Sequence, residues 1–164
     1  MRTADILEDT ISTWTQQRPD LDFDGMTLIL KMGAVVRQMT ESLRTEFEGL
    51  GITVAEFDVL ATLRRTGPDS ALTPSLIAEV AMVKPSGLSH RLNRLEAAGL
   101  IERTLDPDDR RSSLVRITSA GRRVVDRAVE IVVVKKNTCC SALDDHQRRS
   151  LQSLLDLLID GADC

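Results

Sequence analysis

Apolar residues recur at helical spacing through most of the chain and at strand spacing in one short stretch. Leu7, Ile11 and Trp14 share one face of a helix predicted over 4–17, which Arg18-Pro19 ends. Leu28, Met32, Val35, Met39, Leu43 and Phe47 form a stripe along a long helix over 26–48, read here as core and not as a cofactor box. Gly49 and Gly51 break that helix, and Thr53 with Glu56 forms a capping box for the next, EFDVLATLRR, which Gly67-Pro68 ends. Thr73-Pro74 starts a short helix carrying Leu76, Ile77, Val80 and Ala81. Met82-Val83-Lys84-Pro85 interrupts it, because a residue before proline is pushed out of the α region. Pro85 opens a second helix on which Leu88, Leu92 and Leu95 share a face that must pack on something.

Gly99 ends the second helix as a left-handed cap. Residues 100–105 and 112–118 then read as two short strands around the charged turn Asp106-Pro107-Asp108-Asp109-Arg110-Arg111. Thr118 or Ser119 caps a further helix with Val124, Val125, Ala128, Val129, Val132 and Val133. Ile131 to Val134 has strand propensity, but the apolar stripe runs through it unbroken, so helix is expected. Asp144 begins a last helix with Leu151, Leu154, Leu155 and Leu158 on one seam. The fold class is therefore mainly α with a small β-hairpin wing, a winged helix-turn-helix.

Counting about 100° per residue from the leucine face of the second helix, Ser86, Ser89, His90, Asn93 and Arg94 fall roughly 100 to 240° away. Small hydroxyls, an amide, an imidazole and a guanidinium suit base edges and phosphates in a major groove. Thr73 and Ser75, at the start of the preceding helix, are further candidate contacts. Arg110 and Arg111, at the hairpin tip, can enter a minor groove, where negative potential is focused. Double-stranded DNA is the expected partner.

Composition narrows this reading. The 164 residues are 42% hydrophobic and 28% charged, which fits one globular domain. No apolar run approaches the roughly 20 residues of a membrane span. No basic segment followed by an apolar one stands at the N-terminus, so a cytoplasmic protein without membrane contact is expected. With 2% aromatics and no tyrosine, stacking on single strands is a poor mode. The net charge of −4 excludes a general nucleic-acid binder, yet between Lys84 and Arg116 seven basic residues stand against five acidic ones. An acidic body with a basic reading head implies salt-sensitive, sequence-selective binding.

A small winged head cannot bury all the terminal apolar faces by itself. The helices of 1–48 and 119–164 are therefore expected to interlock with a second copy, leaving 53–118 as the DNA-binding region of a single domain. Such a homodimer would read a pseudo-palindrome with its recognition helices about one DNA turn apart. Arg91 sits about 60° from the leucine face. If it points toward the scaffold, its charge needs a carboxylate such as Asp58 or an anionic ligand. Trp14 can supply a flat surface and an indole N–H.

RLEAAGLIER, DPDDRR and LVRITSAGR occur together at a spacing that resembles the MarR family of winged-helix transcription regulators. The likeness in helix order extends over nearly the whole chain. Trp14, Asp58, Arg91 and Arg103 match positions of the urate-responsive subgroup, which has an extra N-terminal helix bearing a tryptophan. The resemblance implies a repressor whose recognition helices shift when a small organic anion, urate-like, phenolic or carboxylate, displaces the aspartate's salt bridge. Cys139, Cys140 and Cys164 allow a redox-sensing alternative, although peroxide-sensing relatives carry their cysteine near the N-terminal helices; thiols buried at a dimer seam explain them as well. Cys139 and His146 lack a third group and an oxyanion turn, so no enzyme is expected. No metal-ligand spacing and no cofactor motif are present. A dimeric interaction module without DNA binding is the reading from another class.

Overall fold

The computed structural model describes residues 2–67, 70–81, 83, 85–105 and 113–161, with only the backbone of Pro85 and Ser86. The hairpin turn with Arg110 and Arg111, the Ser86 side chain and Cys164 lie outside the described residues. Seven helices and two strands follow in the order α1 Thr3–Gln17, α2 Asp24–Gly49, α3 Val54–Arg65, α4 Pro74–Val80, α5 Pro85–Ala97, β1 Ile101–Leu105, β2 Ser113–Ile117, α6 Ser119–Cys140 and α7 Asp145–Asp160 among the described residues. The chain divides into two compact units, one ending at Ser42 and the other beginning at Leu43, so that α2 contributes to both.

In the first unit, α1 buries no residue. Trp14 packs its ring 6.4 Å from that of Phe23 at a tilt of 31°. Ala34 is the buried apolar residue of this unit among those described. The stripe expected to be core along α2 is only partly so: Leu43 and Phe47 are buried, whereas Leu28 and Val35 are about half exposed. Periodicity identified the apolar face correctly but could not say whether the chain itself covers it.

In the second unit, α3 lies at the centre, packed against α4, α5, α6 and β2. Its start is fixed by the expected capping box: Thr53 Oγ1 accepts the Glu56 N–H at 3.2 Å, and Glu56 Oε2 accepts the Thr53 N–H at 2.8 Å. Phe47, Val59, Leu60, Leu63, Ile77, Leu92, Leu95, Val115 and Val125 are the largest apolar side chains of the enclosed interior among the described residues. On α4 the buried residues are Ile77 and Ala78, while Leu76 and Val80 stay exposed. That differs from the expected face because α4 spans only 7 residues and has apolar side chains on several sides. The run 131–134 is helical, and α7, capped by Asp144, buries no residue.

The wing is an antiparallel pair with Ile101 opposite Ile117 and Arg103 opposite Val115. Leu72 adds a bridge on the far side of β2, exchanging hydrogen bonds of 3.0 and 2.8 Å with Val115. At the wing's base, Gly99 adopts φ 68°, which favours glycine, and the Leu100 N–H bonds back to Leu95. Thr118 then donates its hydroxyl to Gly99 O at 2.7 Å and accepts the Gly121 N–H at 3.0 Å, starting α6. A Cβ on Gly121 would stand 2.1 Å from Leu100 O. Gly121→Ala should therefore cost about 3 kcal/mol, at the upper end of overpacking effects, because the obstacle is backbone. Urea unfolding should show a lower midpoint with an unchanged slope; an unaltered midpoint would mean that α6 can shift without loss.

Candidate nucleic-acid interface

Helix α5 presents two unlike faces. Leu88, Leu92 and Leu95 are at most 3% exposed and anchor it in the core, whereas Ser89, His90, Asn93 and Arg94 are exposed. The expected division between an apolar packing face and an exposed polar face is thus present in the fold. Ser75 of α4 and Ser89 of α5 line one concavity of about 420 Å³ with Pro74, Ala78, Glu79 and Leu88, at the angle between the two helices. Thr73 caps α4, its hydroxyl oxygen accepting the Leu76 N–H at 3.3 Å. The hydroxyl proton stays available to an acceptor.

Neighbouring elements hold two of the polar α5 side chains. Arg94 Nε lies 3.1 Å from Glu56 Oε1 of α3. Asn93 Oδ1 accepts a hydrogen bond of 2.7 Å from Arg103 Nη2 of β1, and Arg103 Nε lies 3.3 Å from Glu96 Oε2. A guanidinium has no acceptor, so the Asn93 amide must turn its oxygen toward Arg103. Arg103, matched by resemblance to a ligand residue, thereby ties the wing to the recognition helix. Glu56 and Glu96 are the residues that sequence reasoning missed. The capping box revealed one role of Glu56, but nothing in the sequence signalled its second partner.

Arg91 is half-buried and folds back over Gly87, and its Nη1 is buried without a hydrogen-bond partner among the described residues. Its charge acts on Asp58 across the α3–α5 packing. Asp58 lines a second concavity, of about 480 Å³, with Phe57, Ala61, Arg65, Val80 and Lys136. Much of the residue is solvent-accessible in the single chain, yet crowding of its carboxyl raises its pKa above the ordinary carboxylate value. The positive charges of Arg91, Lys136 and Arg65 oppose that rise. Trp14 belongs to the first unit and is 47% exposed.

The MarR-family sequence profile matches residues 50–112, which hold the helix-turn-helix and the first wing strand. The HTH-type transcriptional regulator PecS of Dickeya dadantii is 34% identical over 149 residues, 91% of this chain and 90% of that protein. The chain belongs to the MarR family. Among solved structures, a mutant MarR from E. coli complexed with operator DNA aligns with a TM-score of 0.73 at 25% identity, covering 83% of this chain and 96% of that one. A MarR-family regulator from Silicibacter pomeroyi aligns at 0.67 with 27% identity, covering 82% and 89%. A MarR-family chain is a DNA-binding transcription regulator and not an enzyme. Among the described residues, no three His, Cys, Asp or Glu side chains cluster as a metal site would require, and no helix is long and apolar enough to cross a membrane.

The raised Asp58 pKa carries a sign. Its contribution to stability is fully present below the unfolded carboxylate pKa of about 3.9 and is lost as pH rises through the higher folded value. Asp58→Asn, uncharged throughout, should therefore gain thermal midpoint relative to the wild type between about pH 4 and neutrality. Denaturation across that range checks this, and a midpoint difference moving the other way would show that Arg91 stabilises the ionised form more than burial penalises it.

Proposed function

We propose that this MarR-family protein is a homodimeric repressor that leaves a pseudo-palindromic operator when a small organic anion binds beside the recognition helix. The observation that carries the anion is Arg91 Nη1, a buried guanidinium nitrogen with no hydrogen-bond partner among the described residues. A buried guanidinium nitrogen without a partner favours an anionic guest, and the planar guanidinium can bind urate-like, phenolic or carboxylate groups through paired N–H donors. Asp58, on which the Arg91 charge acts, and Arg103 are further proposed ligand residues, and Trp14 is assigned by the resemblance alone. DNA contacts are assigned to Thr73, Ser75, Ser86, Ser89, His90, Asn93, Arg94, Arg110 and Arg111. E. coli MarR, crystallised with operator DNA, supports the reading by its likeness in fold and sequence.

The second copy is supported by apolar faces that a single chain leaves open. Leu154, Leu157 and Ile159 of α7 are 58, 69 and 72% exposed, and Val35 and Val36 of α2 are 55 and 65% exposed. Faces of this kind mark association surfaces. Residues 1–48 and 119–164 are accordingly the dimerisation helices and 53–118 the DNA-binding region of one functional domain, and the compartment is the cytoplasm. Cys139 and Cys140 are exposed on the single chain, which keeps an oxidant response as the second reading.

The test combines Trp14 fluorescence with release of a DNA fragment from the protein's own upstream region during titration with urate, phenolic acids and tricarboxylates. Saturable quenching with DNA release is expected, and Arg91→Ala should bind DNA but no longer release it. The double change of Arg110 and Arg111 to Ala should lower operator affinity on the order of tenfold or more while the protein stays dimeric. DNA release by oxidant but by no anion would overturn the anion reading, and a wild-type protein without DNA affinity would remove the whole proposal.

A further inference from the structure

Glu56 does more than cap α3. Its side chain is 3% exposed, and Oε2 takes both the Thr53 N–H and the Thr53 hydroxyl, at 2.8 and 3.0 Å. Those contacts need only an uncharged acceptor, and glutamine serves equally in a capping box. The negative charge is therefore surplus to the cap. A buried carboxylate requires a cation, and Arg94 Nε at 3.1 Å from Oε1 supplies it. Arg94 nevertheless keeps 53% of its side chain in solvent, on the exposed face that also carries His90 and Asn93.

An arginine ion-paired to a carboxylate buried behind it is confined to that part of its range, with the rest of its guanidinium left in solvent. It also has much of its charge offset by the carboxylate behind it. We infer that Glu56 is a specificity-determining positioning residue, which confines Arg94 to one place on the exposed face of α5 and withholds its charge from random DNA. Arg94 then contacts a guanine edge or a phosphate only when operator register places that group in line. This rests on the DNA-facing role proposed above for α5. Without Glu56, the arginine would swing freely and act as one more sequence-blind phosphate anchor.

The test compares the wild-type protein, E56Q, R94A and E56Q/R94A on an operator obtained by selection from random duplexes and on an unrelated duplex of equal length, across a salt series. E56Q retains the cap, so its thermal midpoint should stay near that of the wild type. Its affinity for unrelated DNA should rise severalfold, and the slope of log affinity against log salt should steepen by up to about 0.9, one freed phosphate contact. The ratio of operator to unrelated affinity should fall on the order of tenfold, one lost base or register contact. In the R94A background the same Glu56 change should do nothing to either affinity. E56Q with wild-type affinities and slope would overturn the inference, as would an E56Q effect that persists without Arg94. If E56Q fails to fold, R94K carries the test: it keeps the charge but not the planar fork, so unrelated-DNA affinity should hold while operator affinity falls, and an unchanged ratio would refute the positioning role. A wild-type protein that selects no operator would remove the DNA-facing role of α5 first, and this inference with it.

Discussion

Helix α5, the wing strands and α6 meet at one backbone crossing, where Gly99 and Leu100 approach Thr118 and Gly121. Leu100 O accepts the Thr118 N–H at 3.0 Å, and the Thr118 hydroxyl bonds to Gly99 O on the adjoining peptide. Four elements end or begin there: α5 closes, β1 leaves, β2 returns and α6 starts. The crossing has no slack, because the α6 backbone at Gly121 passes where any side chain would meet Leu100 O. It joins α5 to α6 without using any side chain of the exposed α5 face.

A second constraint is electrostatic. Two polar residues of α5 are paired from the side of the scaffold, Arg94 with Glu56 and Asn93 with Arg103 of β1, which also lies 3.3 Å from Glu96. Arg91 differs in having no carboxylate within ion-pair distance among the described residues, although its charge acts on Asp58. Helix α3 thus faces the recognition helix with two carboxylates in different states, Glu56 enclosed and spoken for, Asp58 more open and incompletely balanced.

Local chemistry was legible in the sequence. Thr53, Thr73, Thr118 and Asp144 cap the helices that follow them, Gly99 takes its left-handed conformation, and the stripe through 131–134 outweighs the strand propensity of its valines. The leucine face of α5 and the opposed polar face followed from angular position alone. Coverage was not legible: the stripe on α2 looks uniform in sequence, yet only its end at Leu43 and Phe47 meets core. Nor were partners between elements, because whether Arg103 reaches Asn93 and Glu96 depends on the tilt of β1 against α5, which no spacing rule encodes.

The bridge between Leu72 and Val115 gives the wing an unexpected middle. At that level β2 is flanked on both sides, by β1 and by a one-residue bridge from the segment entering α4. A two-stranded ribbon is marginal in water and offers two open edges to any other extended chain. Here the β2 edge is closed at its midpoint, and the β1 side carries the exposed Glu102 and Thr104. The wing's β2 edge is thereby closed to other extended chains at its midpoint, while its described β1 edge is guarded by polar side chains.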